Sequence, residues 1–169
     1  LFNYPNLGSQ EISKELWYFF EEIVDGFVQE ITVSLDPIPV KKQNQDFVLV
    51  IINQFLAIQH GPTKTALDRC EALITGMGKK VLLVNTAELL SQVGKIPFCG
   101  CMIPNYMEEN SEKQEIIWKG CVIPFCQYED NMPAIEVLNR MLTNIRDMAP
   151  EYVISIDGSS IVGNLVGRM

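Results

Sequence analysis

Phe47-Val48-Leu49-Val50-Ile51-Ile52 is a run of six apolar residues, four of them β-branched. Asp46 precedes it and Asn53-Gln54 follow. A continuous apolar run of this kind is what a parallel strand buried on both faces requires. After the loop residues 53–61 comes Pro62, whose fixed φ suits the first position of a helix. Ala66, Leu67, Cys70, Leu73 and Ile74 carry the helix on to Gly76-Met77-Gly78, where it stops. Val81-Leu82-Leu83-Val84-Asn85 is then a second strand of the same type. Strand, helix and strand within about forty residues make a βαβ unit. The two strands are expected to be parallel, with a right-handed crossover.

Working outward, residues 133–148 carry Ile135, Val137, Leu138, Met141, Leu142 and Ile145 at helical spacing. Pro150 introduces the strand Tyr152-Val153-Ile154-Ser155-Ile156, and Asp157-Gly158-Ser159-Ser160 turns into a last helix over 161–167. Thr86 reads as the cap of a short helix over 86–92, with Glu88 in its first turn. Residues 99–103 and 115–123 read as two strands, the second bent or bulged at Gly120, which pair as a hairpin inserted in the sheet. Upstream, Ile12, Leu16, Phe19, Phe20, Ile23, Phe27 and Ile31 recur at spacings of three and four, an amphipathic helix with Ser9 as N-cap. Pro37 and Pro39 end it, and 41–45 is a polar connector. The expected fold is therefore α/β: a Rossmann-like three-layer αβα arrangement with a mainly parallel sheet, a hairpin insertion and an extra N-terminal helix. Residues 1–45 form the helix and connector, and 46–169 form the Rossmann-like domain.

The bulk composition narrows the function. A chain of 169 residues with 47% hydrophobic and 20% charged residues is long enough for one well-buried core and unlike a disordered segment. Thirteen Lys and Arg against 21 Asp and Glu give a net charge of −8, and no basic stripe occurs, so nucleic acid is not expected as a partner. No apolar run approaches the ~20 residues of a membrane span, and no signal peptide pattern opens the chain. Cys70, Cys99, Cys101, Cys121 and Cys126 are odd in number and contain no Cys-x-x-Cys pair; with one histidine in the chain, neither a metal site nor a cofactor is expected. Reduced, mostly buried cysteines point to the cytoplasm. The chain begins at Leu1 and ends in a helical pattern at Arg168-Met169, as expected of a piece cut from a longer protein.

In open α/β sheets ligands bind outside the carboxyl ends of the parallel strands, and three such ends are residues 54–65, 85–88 and 157–160. The loop after the first strand ends in His60-Gly61-Pro62-Thr63-Lys64-Thr65, at a helix N-terminus. Unpaired N–H groups there favour an anion, Lys64 adds a charge, and His60 is a candidate acid or base. Gly61, Thr63 and Lys64 are accordingly candidate substrate contacts, although Gly61 and Thr63 can equally be plain helix caps. Asp157 is a second catalytic candidate, with Gly158, Ser159 and Ser160 as substrate contacts or caps of the last helix. Neither Gly-x4-Gly-Lys-[Ser/Thr] nor Gly-x-Gly-x-x-Gly is present, and no Gly-x-Ser-x-Gly elbow occurs. Tyr106, Trp118, Phe125 and Tyr128 can stack on a sugar or belong to the core.

Gln54-Phe55-Leu56, Gln59-His60-Gly61-Pro62-Thr63-Lys64-Thr65, Leu67-Asp68 and the strand 81–88 resemble the opening βαβ of a group of bacterial glycosyltransferases. Residues 150–165, with Ile154-Ser155-Ile156-Asp157-Gly158-Ser159-Ser160, are similar to the last strand-turn-helix of the same N-terminal domain. The resemblance covers about residues 46–169 and leaves 1–45 aside. It implies a GT-B enzyme, two facing Rossmann-like domains with the reaction in the cleft and no essential metal. This chain would be the acceptor-side half, and the donor half that holds most of the nucleotide-sugar would be missing, so the isolated chain is expected to be inactive. The implied partners are a nucleotide-sugar and a carbohydrate or glycoprotein acceptor. The alternative is a non-catalytic α/β ligand-binding or protein-interaction domain, for which exposed apolar surface on the first helix would speak.

Overall fold

The computed structural model describes residues 10–88, 109–128, 132–156 and 160–169. The chain divides into two compact units, Leu1–Thr32 and Val33–Met169. In the first, α1 (Gln10–Glu30) is a continuous helix of 21 residues, as its periodicity predicts. Ser9, expected as its cap, lies outside the described residues.

The second unit holds the sheet. Its described elements are β1 (Asn44–Ile52), α2 (Gly61–Glu71), β2 (Lys80–Asn85), β3 (Glu115–Trp118), β4 (Cys121–Gln127), α3 (Ile135–Met148), β5 (Pro150–Ile156) and α4 (Ile161–Gly167). The five strands lie in the order β3-β4-β2-β1-β5. β2 and β5 flank β1 in parallel, β4 runs parallel to β2, and β3 is antiparallel on β4. The fold is α/β with a mainly parallel sheet, as expected.

Each apolar run explains its strand. Val48, Val50 and Ile52 of β1 share one face with Val81 and Leu83 of β2 and with Ile123 and Phe125 of β4. Ala66, Leu67 and Cys70 of α2 pack over that face. Leu49 and Ile51 project to the opposite face in register with Leu82 and Val84, and Met141 and Ile145 of α3 approach these last two residues. α4 lies on this second side too, where Gly163 allows close approach: a Cβ there would come 2.8 Å from Ser155 Oγ. Helices thus cover both faces, and β1 is buried from Val48 to Ile52. Each such aliphatic side chain contributes roughly 1.5–3 kcal/mol by leaving water.

The hairpin differs from expectation. The predicted strand at 99–103 lies outside the described residues, and the strand predicted over 115–123 is two strands. Lys119 (φ +50°) and Gly120 (φ +79°) form a tight turn between β3 and β4. Both central residues need positive φ in the hairpin turns whose twist matches the strands, and glycine takes it without penalty. Pro124 sits inside β4, where it would normally break a ladder. Here it is the change-over point: residues 121–124 pair with β3, and residues 125–127 pair with β2. The next available donor, Phe125 N, bonds to Gln114 O at 2.8 Å.

The lead-in to β1 belongs to the second unit. Arg146 Nη1 donates to Ser34 O and Asp36 O at 2.8 and 2.7 Å, and Ile38 N donates to Met169 O at 2.6 Å. A short 3-10 turn, Val40–Lys42, then stands where a polar connector was expected. At the amino ends of the parallel strands, Lys79 Nζ bonds both Gln45 O (2.8 Å) and Glu151 Oε2 (2.6 Å), tying β2 to β5 across β1. No described helix is long and apolar enough to cross a membrane.

Candidate functional site

Among the parallel strands the order is β4-β2-β1-β5, so chain order reverses between β1 and β5. The connection after β1 leads to α2 on one face, and the one after β5 leads to α4 on the other. Such a switch point leaves a crevice at the carboxyl edge of the sheet. Register brings the two strand ends side by side, with Ile52 opposite Ile156. The loop that carries His60 follows β1 here, and Ser160 and α4 follow β5.

On the β1 side, His60 occupies the N-cap position of α2 with extended backbone, and its side chain makes no capping bond. Its Nδ1 instead lies 3.0 Å from Thr63 Oγ1. The same oxygen accepts from Leu56 N at 3.0 Å, which folds the loop back on the helix. Thr63 is fully buried, and it serves as this brace rather than as a cap. Partial burial holds the His60 imidazole below its ordinary range, so it stays neutral near pH 7. Gly61 is exposed with open space around its Cα. Lys64 is exposed one turn before Asp68 and helps hold that carboxylate below its usual range, after the hydrogen bonds from Lys119 and Trp118.

On the β5 side, Asp157, Gly158 and Ser159 lie outside the described residues. Ser160 is buried and caps α4, its Oγ accepting from Gly163 N at 2.8 Å. The end of α4 is also filled by a residue that sequence reasoning assigned elsewhere. Glu88, 7% exposed, sends its carboxylate from the end of β2 to this helix. Oε2 accepts from Ile161 N (2.8 Å), and Oε1 accepts from Ser160 Oγ (2.7 Å), Val162 N (3.2 Å) and Thr86 Oγ1 (3.0 Å). Burial pushes the Glu88 carboxyl up, while the bonds from Ser160, Ile161, Thr86 and Val162 pull it back. Thr86 was expected to cap a helix with Glu88 in its first turn. Residues 86–88 are not helical: Ala87 takes φ +59°, and its N–H bonds Asn85 Oδ1 at 3.1 Å. The rest of that predicted helix lies outside the described residues.

Comparison with protein-family models, curated proteins and solved structures finds no match.

The aromatic side chains divide in favour of the core. Phe125 is buried against Phe55, ring centroids 5.0 Å apart. Trp118 packs against the core and donates its Nε1–H to Asp68 Oδ1 at 2.9 Å, pinning the hairpin to α2. Tyr128 is half-buried, its hydroxyl accepting from Asn144 Nδ2 at 3.3 Å. Tyr106 lies outside the described residues. Cys70 and Cys121 are buried and Cys126 is half-buried, all as free thiols; burial pushes Cys70 up to about 12. No group of three or more metal-ligating side chains occurs among the described residues.

A cavity of about 310 Å³ lies between α3 and the sheet, walled by Leu82, Val84, Met141, Ile145 and Met148. Its polar groups at Tyr128 and Asn144 are bonded to each other. The carboxyl edge, with a neutral imidazole and a braced loop, carries more chemistry.

Proposed function

We propose that this chain is the acceptor-side, Rossmann-like half of a GT-B glycosyltransferase, moving a sugar from a nucleotide-sugar to a carbohydrate or glycoprotein acceptor. The observation that carries the reading is the position of His60 beside the sheet's switch point, neutral and held by Thr63. In the tautomer with its proton on Nδ1, that N–H donates to Thr63 Oγ1 and leaves the Nε2 lone pair as a base. His60 then takes the proton of an acceptor hydroxyl as that oxygen bonds the anomeric carbon. The sugar–phosphate bond breaks, and the nucleotide leaves with the electron pair. The donor sits mostly on a facing domain, with Gly61, Lys64, Gly158 and Ser159 as contacts from this side. The reaction needs no metal on this half, and a cytoplasmic setting, where donor sugars and reduced thiols coexist, belongs to the same proposal.

A ligand-binding or interaction domain without turnover is the second reading. It is favoured by the occupied end of α4: Glu88 already takes Ile161 N and Val162 N, leaving those donors unavailable to a phosphate.

The test is turnover of UDP-, GDP- and dTDP-sugars by the polypeptide that joins this chain to its donor half, with and without His60→Ala. A loss of about 100-fold or more in kcat/KM, with the urea midpoint unchanged, supports His60 as the base. Turnover that survives the substitution removes that role. No turnover with any donor removes the transferase reading and leaves the binding domain.

A further inference from the structure

We infer that α1 is a docking helix for an apolar groove with a basic rim on a partner protein. Leu16, Phe19 and Ile23 stand at i, i+3 and i+7, one stripe along the helix, and are 61%, 62% and 38% exposed. That spacing is how an amphipathic helix anchors in a groove, with each side chain filling one pocket. Trp17 is exposed on the other flank of the helix from the acidic residues, its ring 5.9 Å from Phe20, and exposed Tyr18 falls in line with Glu11, Glu15 and Glu22. So much aromatic surface on a helix of 21 residues needs cover.

Charge chooses the occupant. Glu11, Glu15 and Glu22 fall at i, i+4 and i+11, an exposed acidic rail beside the apolar stripe. From Glu11 to Glu30 the helix carries Glu11, Glu15, Glu21, Glu22, Asp25 and Glu30 against Lys14 alone. A membrane surface is the wrong partner, because anionic lipid repels this rail and helices that lie on membranes carry Lys and Arg on their polar face. A second copy is also disfavoured, since each α1 carries six acidic residues against one lysine and the two helices would bring like charge together. A protein groove with an apolar floor and Lys or Arg along one lip satisfies both features. This holds whether or not the domain is a transferase.

The experiment places photo-reactive p-benzoylphenylalanine at Phe19 of the whole chain, in cells of its source, with a control probe at exposed Ile117 on the hairpin. The adducts are mapped by mass spectrometry to the residue reached. The expected result is one protein adduct from the Phe19 probe only, at an apolar residue flanked by Lys or Arg. With the purified partner, Glu15→Lys and Glu22→Lys together should weaken binding about tenfold or more, and binding should fall steeply with salt. An adduct to a second copy, an adduct to lipid, no adduct, or affinity unmoved by the charge reversal would each overturn the proposal.

Discussion

Glu88 shows how much one side chain can arrange. It is a carboxylate taken almost wholly out of water, and among the described residues two hydroxyls and two backbone N–H groups donate to it. Four donors around one carboxylate specify an acceptor-only group, which an amide is not. Glu88→Gln keeps the shape but turns an N–H toward one of those donors. We expect it to destabilise the fold by about 1–3 kcal/mol, read from urea unfolding, through one buried donor left without an acceptor. A smaller change would mean that the site admits water or repacks. The sequence hides this residue because its partners Ser160, Ile161 and Val162 come 72, 73 and 74 positions later. Read locally, an acidic residue two places after a threonine looks like a helix start. His60 is the local contrast: its partner Thr63 is three residues on, within the same turn of chain, although the sequence suggested Thr63 as a cap or substrate contact.

At the scale of elements, the apolar runs were decisive. β1 and β2 appear within a few residues of the stretches that predict them, because unbroken apolar runs rich in β-branched residues suit few other structures. The hairpin was harder. Lys119-Gly120 lacks the Asn-Gly or Asp-Gly signal of a tight turn, and Pro124 argues against a strand. Only the change of partner at Pro124 makes a strand of it, and that depends on where β2 and β3 lie. One element end is open to a direct test. α3 closes at Ala149 in left-handed backbone, φ +44° and ψ +59°, where glycine is the usual residue. Ala149→Gly should raise stability by about 0.5–1 kcal/mol, as strain on the alanine Cβ is removed and partly offset by the freer unfolded chain. A lower thermal midpoint would show that the methyl group, which is nearly buried, contributes more by packing than it costs in strain.

Across the whole molecule, the sheet unit carries its own core and its own switch point, while α1 forms a separate compact unit with exposed aromatic side chains. The buried thiols have a use that the fold alone does not announce. Cys70 of α2 and Cys121 of β4 are both below 9% exposure, and Cys70 titrates only at about 12. At pH 7.5 the reactive thiolate of Cys70 is then on the order of 10⁻⁵ to 10⁻⁴ of the total. A small alkylating reagent should therefore mark Cys70 only in molecules where α2 has lifted from the sheet, and each labelled thiol records one such opening. Followed peptide by peptide in mass spectrometry under native conditions, Cys70 should label far more slowly than half-buried Cys126. Equal rates would mean that α2 lifts from the sheet as often as the surface breathes. The chain thus carries a built-in clock for the parting of α2 from its sheet.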